Sequence, residues 1–356
     1  MTHRHLKVLV APLDWGLGHA TRCIPVIREL LRQEAKVIIS ASGNGYYLLK
    51  NIFPLCEFIN IPGITIRYPE SSYMAFSMMS QLPAILKAIR KETELLKSVI
   101  EPSGITHVIS DNRYGLYDNR IKCAFISHQV SIKSFGLLKL MEPWLYQLHK
   151  KRIEKFHELW IPDVEGPGNL AGSLTEAPGL TIPKKYIGFL SRFNESIQRA
   201  QKKYDYISVL SGPEPQRSLL ENKIKAYFLS SEKKCLIVQG IPATPLRSVS
   251  KNVEIVNVIS DADLQELLHP DTTLFCRPGY STLMDLAILG HKKIVFIPTP
   301  GQTEQEYLAA QLEKNYDYNI TRQKDSFPQN VSSGKALPNH FQQNRLMETM
   351  RDFLKN

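Results

Sequence analysis

Two glycine-marked corners of this 356-residue sequence carry side chains able to do chemistry. The first, "DWGLGHATR" (14–22), places His19 where a loop passes into a helical pattern. An imidazole titrating near neutrality can take a proton from a hydroxyl without a large pKa shift, and it can equally hold the loop by a hydrogen bond and do no chemistry. Asp14 is read as a second base, an orienting partner for the histidine, or a turn cap. Gly16 and Gly18 permit close backbone approach, and the free amides of the helix behind them face whatever anion or hydroxyl lies there.

The second corner is "CRPGYSTLMD" (276–285). Pro278 and Gly279 turn the chain sharply, Ser281 and Thr282 cap the following helix or contact phosphate, and Arg277 is grouped with them as a donor contact. Asp285, one turn further in, can accept two hydroxyl hydrogens from a ribose. The next loop, "PTPGQTEQEYLAA" (298–310), brings Gln302, Glu304 and Gln305, side chains suited to sugar hydroxyls. In "LSGPEPQR" (210–217), Ser211 and the amides beyond Gly212 could hold a diphosphate with Arg217 nearby, or form a plain tight turn. Asp111 in "SDNRYG" and His128 in "SHQ" are read as acceptor or cleft contacts, with loop-fixing hydrogen bonds as the alternative. "SDAD" (260–263) resembles a metal-binding Asp-x-Asp but reads more simply as a capped helix start, so no metal is assigned.

Every one of these candidates follows a short apolar, β-branched run. Such runs fall at 6–11, 35–40, 56–61, 106–110, 123–127 and 159–162, then again at 206–211, 234–239, 253–259, 273–276 and 293–298. Runs apolar on both faces, alternating with helical patterns, fit parallel sheets covered by helices. The fold class expected is α/β, with two doubly wound, Rossmann-like domains facing a cleft. The amino-terminal domain is placed at 1–190, a polar linker at 191–205, and the second domain at 206–335. A terminal helix within 336–356 is expected to pack back on the first domain. In the first helix Pro25 is expected in the first turn, where amides lack partners. Ligands gather at strand carboxyl ends in such sheets, which is where the candidates lie. The second strand ends "ISASGNG" (39–45) without the acid a dinucleotide site wants, which disfavours a nicotinamide-dependent dehydrogenase.

Composition narrows the classes further. With 44 Lys plus Arg against 34 Asp plus Glu, the net charge of +10 suits anionic partners of several kinds. Basic residues are dispersed, with no aromatic-interleaved basic motif, so nucleic acid is not expected as a partner. Five cysteines, widely spaced and without a CxxC pair, indicate neither a disulfide framework nor a zinc site and fit a reducing cytosol. The amino-terminal apolar run ends at Asp14, unlike a signal peptide, and no run of about 18 apolar residues occurs.

The stretch 256–311, "VNVISDADLQELLHPDTTLFCRPGYSTLMDLAILGHKKIVFIPTPGQTEQEYLAAQ", resembles GT-B glycosyltransferases near family 28, the family of the lipid-linked peptidoglycan N-acetylglucosaminyltransferase. The resemblance implies a UDP-sugar donor, no cofactor, and a metal-independent, inverting hexosyl transfer. It places Gly279, Ser281 and Thr282 at the diphosphate, Asp285 at the ribose, the Ile259 backbone at uracil and Gln305 at the sugar; Gly16, Gly18 and His19 match the amino-terminal loop and its histidine. Asp285 stands where the family usually has Glu, Pro278 and Tyr280 replace smaller residues, and the first loop lacks the longer glycine run, which leaves base, sugar and acceptor open. The segments 73–91 and 132–156 mix apolar residues with Lys and Arg, as peripheral membrane helices and ordinary amphipathic core helices both do. A lipid-linked acceptor at a cytoplasmic membrane face, in cell-envelope glycan synthesis, is the resulting expectation. Nucleotide-sugar hydrolysis or epimerisation is the rival on the same scaffold.

Overall fold

The computed structural model describes residues 6–63, 81–133, 136–193, 201–242, 247–339 and 343–355. Parts of the segments 73–91, 132–156 and 191–205, together with 341–342 of the terminal helix, lie outside the described residues.

The first sheet has seven parallel strands in the order β3-β2-β1-β4-β5-β6-β7: β1 (Lys7–Pro12), β2 (Lys36–Ser40), β3 (Glu57–Ile59), β4 (His107–Asp111), β5 (Lys122–Ile126), β6 (Glu158–Ile161) and β7 (Lys184–Tyr186). The order reverses between β1 and β4, where Pro12 lies opposite Asp111. A crevice opens at the carboxyl edge of such a reversal point. Helix α1 (Leu17–Arg32) leaves β1 directly after Gly16, whose φ of 107° a side chain would resist. Because α1 starts at Leu17, Pro25 sits in the helix interior rather than the first turn, where it removes a backbone hydrogen bond.

The second sheet, β10-β11-β9-β8-β12-β13-β14, is parallel except for the β10–β11 pair. Its strands are β8 (Tyr206–Val209), β9 (Cys235–Val238), β10 (Arg247–Ser250), β11 (Val253–Val256), β12 (Thr273–Cys276), β13 (Ile294–Phe296) and β14 (Asn319–Ile320). Here the order reverses between β8 and β12, so the loops after those strands, 210–215 and 277–279, flank the second crevice. The remaining helices are α2 (Gly43–Ile52), α3 (Leu82–Ser103), α4 (Glu142–Ile153), α5 (Gln216–Leu229), α6 (Asp261–Leu267), α7 (Tyr280–Leu289), α8 (Thr303–Tyr316) and α9 (Gln343–Leu354). Gly290, in the left-handed region at φ 61°, stops α7.

Apolar residues of both halves share one core: Ile24 and Ile27 of α1, Leu190, and Met284 and Leu286 of α7 belong to the same buried cluster. The terminal helix α9 returns to the first domain. Phe353 meets the Trp160 ring edge-on at 5.1 Å, and its carbonyl accepts from Lys122 Nζ at 3.3 Å. Three strands, β7, β10 and β14, have no counterpart among the runs read from the sequence, because they are short sheet-edge pieces with polar or exposed residues.

Candidate functional site

The two crevices face one another, and their glycine corners nearly touch. A side chain on Gly16 would meet Gly212 Cα at 3.7 Å, and one on Gly18 would meet Ser281 Oγ at 3.4 Å. Ser281 Oγ donates to the Gly18 carbonyl at 2.8 Å, joining the α7 amino terminus to the α1 amino terminus. Gly279 caps α7 with extended backbone and no side-chain cap, leaving the helix amides toward the cleft. Gly212, at φ 106°, has open space around the position a side chain would take. Ser211, Ile259, Thr282 and Gln302 are all partly exposed, and Gln302 holds the N-cap position of α8.

His19 lies in the first turn of α1 with its Nδ1 3.0 Å from Asp111 Oδ2. Sequence reasoning offered Asp14 as its partner; the register of β1 and β4 instead brings Asp111 to it. Asp14 Oδ1 accepts from the Ser42 amide at 3.1 Å, and its other oxygen lies beside Gly63. Asp111 is fully buried, so it serves as an internal partner and not as the cleft contact expected.

Arg22, three residues after His19 and therefore on the same helix face, is the residue the sequence reading missed. Its Nε lies 2.9 Å from both Asp111 oxygens, its Nη2 also bonds Oδ1, and Nη2 stands 2.8 Å from His19 Nδ1. Nη1 lies 3.1 Å from His128 Nδ1. Burial pushes the Asp111 carboxyl up, but Arg22 and His19 outweigh it and bring it to about 2. Burial and then Arg22 lower His19 below its ordinary value, more than Asp111 raises it, which favours the neutral ring.

His128, also expected to line the cleft, is buried and bridges the domains. Its Nε2 is 3.0 Å from Glu304 Oε1, and its ring stacks on Tyr280 at 4.1 Å with an interplanar angle of 7°. Tyr280 Oη donates to the Pro162 carbonyl at 3.0 Å, so the bulky residue at that corner is an interdomain tie. Burial works against the Glu304 carboxylate, yet His128 and Arg22 hold it below the usual carboxylate range.

Three other expected donor contacts are engaged elsewhere. Arg277 is buried, with Nη1 on the Ile297 carbonyl at 2.9 Å and Nη2 on the Gln216 carbonyl at 3.0 Å, so it braces the sheet; burial lowers its pKa to about 9. Arg217 is paired at 2.6 Å with both Glu214 and Glu221. Gln305 Oε1 accepts from the Thr299 amide at 2.8 Å, closing its own loop. Asp285 faces a polar connection and not the apolar interior: Oδ1 takes 2.7 Å from Ser191 Oγ and Oδ2 lies 3.3 Å from Arg192 Nε. At the neighbouring loop Ser260 accepts from the Asp263 amide at 3.1 Å, the cap expected of "SDAD". Among the described residues no group of three His, Cys, Asp or Glu side chains is placed to hold a metal.

No protein-family model matches the chain. Solved structures do align along its whole length. A UDP-glucosyltransferase from Polygonum tinctorium capable of glucosylating indoxyl superposes with a TM-score of 0.57 at 12% identity, over 100% of this chain and 94% of that one. The fold is GT-B. The spinosyn rhamnosyltransferase SpnG aligns equally well, at 0.57 and 12% identity over 99% of this chain and 92% of its own, and SpnG is also known bound to thymidine diphosphate. In sequence, an uncharacterized glycosyltransferase of Methanosarcina mazei is 23% identical over 332 residues, 87% of this chain and 84% of that protein. A second one, from Methanosarcina acetivorans, is 22% identical over 328 residues. The interdomain cleft of this GT-B chain thus sets the His19–Asp111 pair on one wall and the α7 amino terminus on the other.

Proposed function

We propose that this chain is a nucleotide-sugar glycosyltransferase in which His19 is the catalytic base. The carrying observation is the 3.0 Å approach of His19 Nδ1 to the buried carboxylate of Asp111, directly across the cleft from the Gly279–Ser281 corner. In the tautomer whose Nδ1 proton is given to Asp111, the neutral ring presents a basic Nε2. The acceptor O–H gives its proton to Nε2 as the oxygen attacks the anomeric carbon. The bond from that carbon to the diphosphate oxygen breaks, and the nucleoside diphosphate leaves with the electron pair. One displacement of this kind inverts the anomeric centre. The α7 amides and those beyond Gly212 would stabilise the departing charge without a metal.

The donor proposed is a UDP-hexose, UDP-N-acetylglucosamine among the candidates, on the family 28 resemblance of 256–311. Glycosyltransferase names among the sequence relatives and nucleotide-dependent structural neighbours support the reaction class. A lipid-linked acceptor at a cytoplasmic membrane face is supported by exposed Leu140 and Trp144 beside exposed Lys139 and Lys151, and by the net charge of +10. All five cysteines are free, which suits a reducing compartment. Among the described residues no helix is long and apolar enough to cross a membrane.

The test is release of nucleoside diphosphate from a panel of UDP- and TDP-sugars, with and without lipid extract as acceptor. Acceptor-dependent release that falls about 100-fold or more in His19→Ala supports the proposal. Sugar release or isomerisation without acceptor, or full turnover by His19→Ala, overturns it.

A further inference from the structure

The Nδ1 atom of His19 has two neighbours with opposite demands. Asp111 Oδ2, at 3.0 Å, accepts a proton; Arg22 Nη2, at 2.8 Å, supplies one. A guanidinium carries only donors, so a ring nitrogen bonded to it must present its lone pair. Arg22 makes the same demand of His128, whose Nδ1 is 3.1 Å from Nη1. A neutral His128 accepting there carries its proton on Nε2, and that atom lies 3.0 Å from the Glu304 carboxylate, which can only accept. Donor and acceptor alternate without conflict from Arg22 through His128 to Glu304. For His19 the same logic puts the proton on Nε2, the form that cannot act as a base. Its contact with Asp111 is then between two acceptors, and the guanidinium lying 2.9 Å from each Asp111 oxygen makes that tolerable.

We propose that Arg22 is a positioning residue that holds both His19 and His128 as neutral Nε2–H tautomers, so that His19 becomes a base only when its Nδ1 exchanges Arg22 for Asp111. The inference rests on the reading of His19 as the base. The charged and titratable groups facing this ring are Arg22 on its own helix, Asp111 from β4, His128 from the loop after β5, and Glu304 from α8 of the second domain. Glu304 comes from the opposite wall, so its hold on Arg22 through His128 links the tautomer of His19 to contact between the domains.

Tautomers are read directly from two-bond proton–nitrogen correlations in the full-length protein labelled at histidine nitrogens, with His19 and His128 assigned by His19→Gln and His128→Gln. The expected native spectrum at pH 7.5 shows Nδ1 unprotonated and Nε2 protonated in both rings. In Arg22→Lys, which keeps a cation for Asp111, the His19 proton is expected to move to Nδ1. A native His19 carrying its proton on Nδ1, or a folded Arg22→Lys with an unchanged His19 pattern, overturns the inference. If Arg22→Lys does not fold, the native spectrum alone decides. No donor or acceptor is present in this measurement, so its failure is separable from failure of the transferase reading, which the release assay tests.

Discussion

Ser191 Oγ donates a 2.7 Å hydrogen bond to Asp285 Oδ1, tying the carboxylate read as the ribose contact to the segment that joins the two domains. Arg192, the next residue, lies 3.3 Å from Asp285 and 3.0 Å from Asp261. On the proposed reading, ribose hydroxyls arriving at Asp285 would exchange with Ser191 and Arg192, and donor binding would share this acid with the interdomain connection.

Burial raises the Asp285 carboxyl to about 6 despite Arg192 and Ser191. The folded state thus holds this proton more tightly than the unfolded chain, where it leaves near the ordinary carboxylate value of about 4. Stability from this site is present below about pH 4 and lost as the pH rises through about 6, by roughly 3 kcal/mol at 1.36 kcal/mol per unit. Asp285→Asn, which cannot ionise, should therefore gain on the native protein by about that amount between pH 4 and pH 7.5 in urea unfolding. A difference that does not change with pH would show an ordinary, ionised carboxylate.

Asp111 and Arg22 form a buried pair at the reversal point of the first sheet. Asp111→Asn leaves the guanidinium uncompensated and should cost about 3–5 kcal/mol. The double replacement Asp111→Leu with Arg22→Met, which removes both charges, should recover much of that loss in denaturant titrations. Near-native stability of Asp111→Asn alone would contradict the pairing.

Phe353 is buried against Trp160 and His107, at 5.1 and 5.2 Å between ring centroids, although only three residues follow it in the sequence. Phe353→Ala should lower stability by about 3–5 kcal/mol and change the Trp160 near-ultraviolet circular dichroism. An unaltered spectrum with unaltered stability would mean that α9 does not fasten the first domain.

The strand runs and the glycine corners were legible because parallel strands covered on both faces leave uninterrupted apolar stretches, as at 6–11 and 273–276. The edge strand Arg247–Ser250 was not, since its residues are exposed and polar apart from Val249. At the site, His19 could be singled out by type and position, but its partner depends on strand order, which places β4 beside β1 across 92 residues of chain. Arg22 was visible in "GHATR" at helical spacing from His19; nothing local distinguishes an inward guanidinium from a solvated one. Arg217 and Arg277 show the converse, basic residues near a glycine corner whose charge is used by the fold.

Calorimetric titration of the full-length protein with UDP tests the donor cleft most directly. Binding of one UDP per chain, weakened at least about tenfold in Asp285→Ala, is the predicted result. Absence of binding by UDP and other nucleoside diphosphates, or affinity for UDP equal in the native protein and Asp285→Ala, would contradict it.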